Sequence, residues 1–148
     1  MAERSLVDYV LRGMKRYWDW PVKHADGYTE GIADLSAWIR PAGNIFIELK
    51  ALERWPARAS SPVVLGLEEL QRYFIVERRG WLFVRVGREY LLFDANETFV
   101  WVDRAEATQA VLRQVATKVW KNSVNWKEFA RWVKRSRTST PPCKLPAR

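Results

Sequence analysis

Cysteine is almost missing from this chain, and its scarcity excludes two classes of small protein. Among 148 residues there is one, Cys143, so neither an intramolecular disulfide framework nor a cysteine-based zinc site can form. A reducing compartment, the cytoplasm, is the expectation that follows. Cys143 lies between Pro142 and Lys144 and reads as an inert free thiol. Histidine is equally scarce: His24 stands alone and cannot build a histidine-rich metal site. No apolar run approaches the roughly 20 residues of a membrane span, so no membrane partner is expected. The opening Met-Ala-Glu-Arg-Ser lacks the apolar stretch of a secretory leader. Glycine and proline number seven each beside a hydrophobic share of 48%. That balance belongs to a folded chain with a real core, sized for one domain and not two.

Acidic residues are nearly absent from one end. Residues 104–148 hold 11 Lys/Arg against two acids, a net of +9, whereas residues 1–103 hold 14 against 15. The basic character is therefore a property of the last third. Such an end reads equally as a surface for a polyanion or as a solvated tail that aids solubility.

Hydrophobic spacing organises the rest. In residues 3–17, Leu6, Val7, Val10, Leu11 and Met14 recur at helical spacing, and Pro21 forbids continuation beyond Trp18-Asp19-Trp20. Residues 22–25 read as a short strand and Asp26-Gly27-Tyr28 as a turn. Residues 31–39 read as a strand, Pro41-Ala42-Gly43-Asn44 as a hairpin turn, and 44–50 as the next strand. A polar loop over 51–62 holds Arg54, Trp55 and Arg58. Residues 66–79 predict a second helix, with Leu67, Leu70, Phe74 and Ile75 as its buried stripe and Gly80 at its end. Strands over 81–86 and 89–93 follow, joined across Gly87-Arg88, and 99–102 adds an edge strand.

From Asp103 onward the chain reads as helical. Ala107, Val111, Val115 and Val119 recur every four residues behind a cap-like Asp103 and Glu106. Ser123 caps a last helix with Trp126, Phe129, Ala130 and Val133 on one face, and the Thr/Ser/Pro-rich run beyond Ser136 reads as disordered. Helix, strands, helix, strands is the order of an α/β sandwich with a mixed sheet. The core covers 1–103 and a basic helical extension covers 104–148, the two forming one compact unit.

The strand over 44–50 carries the chemistry. Ile45, Ile47 and Leu49 alternate, so Glu48 and Lys50 share the opposite face. Asp34 ends the run Gly31-Ile32-Ala33-Asp34 of the neighbouring strand. Two acids and a lysine thus converge at one end of a small sheet, a set suited to a divalent cation and an activated water. A Glu-x-Lys pair alone also occurs as a solvated surface pair.

Gly31-Ile32-Ala33-Asp34, the strand Phe46-Ile47-Glu48-Leu49-Lys50 and Gln71 on the following helix together resemble the PD-(D/E)XK nuclease superfamily. Within it the chain looks most like the small VRR-NUC type and related phage nucleases. The resemblance spans residues 3–93, with Ala33 where those proteins usually have proline; the basic, Trp-rich end lies outside it. It implies a restriction-endonuclease-like fold, a mixed β-sheet flanked by helices. It also implies a DNA endonuclease dependent on Mg²⁺ or Mn²⁺, borne by a prokaryote or phage. Related nucleases often cut branched or flapped DNA, and a homodimer suits cleavage of two strands.

The same resemblance assigns roles. Asp34 and Glu48, with the carbonyl of Leu49, would be metal ligands. Lys50 would orient the attacking water and stabilise charge on the phosphate, and Gln71 would hydrogen-bond that water or position the backbone. Glu3, at the start of the first helix, would hold a second metal or a metal-bound water. Read without the resemblance, Gln71 is more often a helix-surface residue, and Glu3 equally stabilises the helix dipole.

Beside a nuclease signature, the basic residues read as DNA-binding. Lys121, Lys127, Arg131, Lys134 and Arg135, with Arg54 and Arg58 from the loop, would follow phosphates without sequence preference and with steep salt dependence. Trp120, Trp126 and Trp132 lie among them, either stacking on unpaired bases or docking the extension onto the body. Trp55 is open to the same two readings, whereas Trp81 and Trp101 fit core-facing strand positions. His24 reads as structural or as a peripheral DNA-facing residue. Two further functions stay open: a non-catalytic DNA-binding module of the same fold, and a packaging or scaffold protein acting through the basic helices.

Overall fold

A computed structural model describes residues 3–24 and 33–135, the side chains of Glu3 and Arg4 excepted. In chain order the elements are α1 (Glu3–Gly13), β1 (Asp19–Lys23), β2 (Leu35–Ile39), β3 (Gly43–Leu52), α2 (Glu69–Glu77), β4 (Trp81–Val86), β5 (Glu89–Asp94), α3 (Ala95–Trp101), α4 (Gln109–Val115), β6 (Lys118–Lys121) and α5 (Trp126–Val133). The described residues thus form a mixed α/β fold with a six-stranded sheet and five helices. The strands lie in the sheet in chain order. Every neighbouring pair is antiparallel except β3 and β4, which run parallel. A parallel junction needs a crossover, and the segment containing α2 supplies it.

Period-two alternation divides the sheet into two apolar faces. Leu35, Ala37 and Ile39 of β2, Ile45, Ile47 and Leu49 of β3, and Phe83, Tyr90 and Leu92 of β4 and β5 face α1 and α5. Leu82, Val84 and Val86 of β4, with Leu91 and Phe93 of β5, face α2, α3 and α4. Glu48 is register partner to Leu82, which places it on the α2 face. Around Phe83 the rings of Tyr90, Trp120, Trp126 and Phe129 pack with centroids 5.0–6.5 Å apart, the separations at which aromatic pairs attract. Trp120, Trp126 and Trp132 accordingly dock the last segment of chain onto the sheet.

Several elements depart from the sequence expectations, each for a tertiary reason. The first helix stops at Gly13, where the indole of Trp126 lies so close that a methyl group would fall inside it. β1 starts at Asp19 and contains Pro21, which an edge strand tolerates because one row of its N–H groups is unpaired. The second helix is Glu69–Glu77; Leu67 is buried ahead of it, Leu70 is exposed, and Ile75 supplies its buried position. The expected edge strand over 99–102 is instead α3, because Asp94 caps it by accepting the N–H of Glu97 at 2.8 Å. Trp101 therefore ends a helix.

The region after Asp103 is not wholly helical. Asp103 caps nothing; it adopts φ +60, and its carboxylate accepts the N–H groups of Leu65, Gly66 and Leu67 at 2.6, 3.2 and 2.7 Å. Thr108 caps α4, and Val119 lies in β6, paired with Leu91. The extension thus contributes a strand to the sheet. Asn125 caps α5 through the N–H of Glu128; Ser123 does not. The expected turn at Asp26-Gly27-Tyr28, residues Gly31 and Ile32, and the run from Ser136 through Cys143 lie outside the described residues. No helix among the described residues is long and apolar enough to cross a membrane.

Candidate active site

Glu48 sits mid-strand in β3 and is 2% exposed. A buried carboxylate demands hydrogen-bonding partners. Gln71, in the first turn of α2, provides one: its side-chain amide donates to Glu48 Oε1 at 2.8 Å. The other end of the same amide, Gln71 Oε1, accepts the N–H of Glu68 at 2.9 Å. One side chain therefore caps the helix start and orients the acid.

Asp34 reaches the neighbourhood of Glu48 from the bend just ahead of β2. Leu35 pairs with Ile47, and extending that register by one residue sets Asp34 opposite Glu48. Its carboxylate turns onto β3, where Oδ2 accepts the N–H of Leu49 at 2.8 Å. Within an extended strand the N–H and C=O of one residue point to the same edge. The Leu49 carbonyl therefore points toward Asp34, past the last rung that β2 makes with β3. Lys50 is two residues beyond Glu48, on its face of the sheet, and is partly exposed.

Asp34, Glu48 and the Leu49 carbonyl would together make an all-oxygen donor set. Two carboxylates and a carbonyl suit a hard cation such as Mg²⁺, which keeps several waters and takes substrate phosphate as a further ligand. No three His, Cys, Asp or Glu side chains cluster as a metal cage among the described residues, so an all-protein cage is not what these side chains build. The carboxylate of Glu3, the remaining candidate ligand, falls outside the described residues, although its backbone opens α1.

His24 and Ser36 were not assigned to this place by motif. The His24 N–H donates to the Asp34 carbonyl at 2.9 Å, and His24 Nε2 lies 2.7 Å from Ser36 Oγ. Ser36 shares the face of Asp34 by simple alternation, and that period was the available signal. His24 follows the last residue of β1, the strand next to β2, so only the pairing of β1 with β2 brings it there.

The basic candidates separate into two groups. Lys127, Arg131, Lys134 and Arg135 are exposed on or just after α5, and Lys121 is exposed on β6. Because α5 packs on the α1 face, its cations lie across the sheet from Glu48 and Gln71. Arg54 and Arg58 are exposed in the loop after β3, the strand that carries Glu48 and Lys50. Trp55 in that loop packs: its Nε1 donates to Glu89 Oε1 at 3.1 Å, and Arg113 lies 4.6 Å over its ring. Arg113 also forks onto both Glu89 oxygens at 3.0 and 2.8 Å. Those hydrogen bonds hold the Glu89 carboxyl below its ordinary range and raise the Arg113 guanidinium further.

No protein-family model matches this chain, and comparison with curated proteins returns no match.

Proposed function

We propose that this protein is a metal-dependent endonuclease of the restriction-endonuclease-like fold that hydrolyses phosphodiester bonds in DNA. The observation that supports the proposal is that Gln71 of α2 bonds Glu48 of β3, while Asp34, just ahead of β2, bonds the N–H of Leu49 next to it, with Lys50 two residues along the Glu48 face. Hydrogen bonds spanning 15 and 23 positions of the chain tie the two acids into that cluster. A buried acid oriented by an amide, beside a second acid and a lysine, matches what phosphodiester hydrolysis requires.

Asp34, Glu48 and the Leu49 carbonyl would hold Mg²⁺ or Mn²⁺, which when bound polarises the phosphate and lowers the pKa of a water. The Lys50 ammonium would neutralise charge that develops on the phosphate oxygens and orient the attacking water. Gln71 would keep the Glu48 carboxylate in one orientation, so that its geometry is set before substrate arrives. Arg54 and Arg58 would meet the DNA backbone beside the site. The α5 cations, across the sheet, would add sequence-independent attraction that falls with salt.

That placement favours a second reading, a DNA-binding module that works through α5 and needs no chemistry. One experiment separates the two. Supercoiled, linear, single-stranded and branched DNA are incubated with Mg²⁺, Mn²⁺ or EDTA and either wild type or Lys50→Ala. Cleavage that needs the metal and disappears in Lys50→Ala supports the nuclease. Binding of every DNA with steep salt dependence, and cleavage by neither protein, replaces it with the module.

A further inference from the structure

Seven of the nine tryptophans are buried or partly buried, but Trp20 and Trp38 are exposed, at 76% and 38%. The two are neighbours, with ring centroids 6.4 Å apart and planes tilted by 52°. Leaving a large indole in water forgoes the burial that its apolar surface normally finds. The backbone at Trp20 is also unusual. Its φ is +52, a conformation that a residue with a Cβ seldom adopts, and the β1–β2 register shifts between Asp19 and Val22. Bulges of this kind re-aim a side chain at the edge of a sheet. Here the bulge sets Trp20 beside Trp38 and leaves both open.

The pair occupies the face of the candidate active site. Along β2, Ser36 and Trp38 alternate with the buried Leu35, Ala37 and Ile39, and Asp34, just ahead of the strand, continues the same alternation. Trp38 therefore lies four residues, about 13 Å at the rise of a strand, from Asp34 on the same side. Opposite it on β3 stand Asn44 and then Phe46, whose ring meets Phe74 of α2 edge-on at 5.4 Å. The segments flanking the two indoles carry four exposed cations, Lys15, Arg16, Lys23 and Arg40, against one exposed acid, Asp19; Lys23 is paired with Asp8 at 3.0 Å. Flat aromatic surface bordered by net positive charge complements a nucleobase attached to a phosphate chain. Bases inside a duplex are already stacked on one another, so free ring faces select unpaired ones.

We infer that Trp20 and Trp38 form a stacking platform for an unpaired base of single-stranded DNA, which leads that strand along β2 toward Asp34 and Glu48. The last clause rests on the nuclease reading above; the platform itself does not. Its occupant is a single strand or the unpaired arm of a branched substrate.

The test is binding of the full chain, in EDTA, to a labelled oligo(dT) and to a blunt duplex of equal length. Wild type, Trp20→Ala, Trp20→Phe and Trp38→Ala are titrated over a range of salt. Trp20→Ala is expected to weaken oligo(dT) binding about tenfold without changing the salt slope, because stacking releases no counterions. Trp20→Phe should recover most of that loss, and duplex binding should be unchanged. The high exposure of Trp20 keeps the fold intact, which thermal melting of each variant checks.

Wild-type affinity for oligo(dT) in Trp20→Ala overturns the platform, as does failure of wild type to bind oligo(dT). A self-association that Trp20→Ala abolishes, with oligo(dT) binding unaltered, reassigns the face to a second copy of this chain. Wild-type cleavage with Mg²⁺ is assayed in parallel. A Trp20 effect without cleavage keeps the platform and removes the nuclease, and cleavage without a Trp20 effect does the reverse.

Discussion

Gln71 and Glu48, 23 positions apart in the chain, are joined by one hydrogen bond of 2.8 Å between a helix start and a buried strand position. The bond holds the acid from the α2 side while Gln71 Oε1 holds the N–H of Glu68. Replacing Gln71 by Ala removes the orientation of Glu48 without removing its charge. On the proposed nuclease reading, in which Glu48 would be a metal ligand, cleavage by Gln71→Ala should fall about 10- to 100-fold, with a higher Mg²⁺ requirement. A Mg²⁺ titration of the cleavage rate checks it. Unchanged rates with lowered thermal stability would reduce Gln71 to a helix cap.

Asp103 is the anchor of the loop ahead of α2. It accepts three backbone N–H groups, those of Leu65, Gly66 and Leu67, and pairs with Arg72 at 3.5 Å. Asp103→Ala leaves those donors without an acceptor and should cost about 3 kcal/mol in urea unfolding. Asp103→Asn should cost less, since asparagine tolerates positive φ and keeps one acceptor oxygen.

Gly13 admits the indole of Trp126 against the end of α1. Gly13→Ala should destabilise by about 1–3 kcal/mol through overpacking, despite the better helix propensity of alanine. In a Trp126→Leu background the same change should cost less, because the ring it strikes is gone. A double-mutant cycle by denaturant unfolding measures that difference.

The pH dependence of stability should carry the mark of Glu89. Its hydrogen bonds from Arg113 above all hold its carboxyl below the ordinary glutamate range. A carboxylate with a depressed folded pKa contributes stability in full above its unfolded pKa, and that contribution disappears as pH falls through the lowered folded value. Glu89→Gln should therefore be less stable than wild type near neutrality, and the gap should close as the solution is acidified below the ordinary carboxylate range. Parallel urea unfolding of both proteins at neutral and acidic pH tests the sign.

Local periodicity made much of the sheet legible. The alternation of Ile45, Ile47 and Leu49 marked which residues of β3 turn inward, and Glu48 and Lys50 lie on the face so deduced. The strands at 81–86 and 89–94, joined by Gly87 at φ +60, follow instead from two short apolar runs on either side of a turn signal. Where the sequence misled, the deciding contact was distant. Val119 continued a four-residue spacing, yet pairing with Leu91 drew it into β6. Asp103 had the form of a helix cap, yet three amide groups some 36 to 38 positions earlier in the chain claim its carboxylate.

Composition and pattern by themselves determined a mixed α/β fold, the exclusion of an intramolecular disulfide, a basic end, and the nearness of Asp34 and Glu48 to neighbouring strands. Those properties depend on residue type and on spacings of two to four positions. Only the tertiary structure decided which face each group serves. It buried Trp120 and Trp126 around Phe83 and left Trp20 and Trp38 in the open. It also set the α5 cations across the sheet from Glu48 and carried His24 to Ser36. Such placements are set by packing partners far away in the chain, because apolar area is removed from water only where two elements meet.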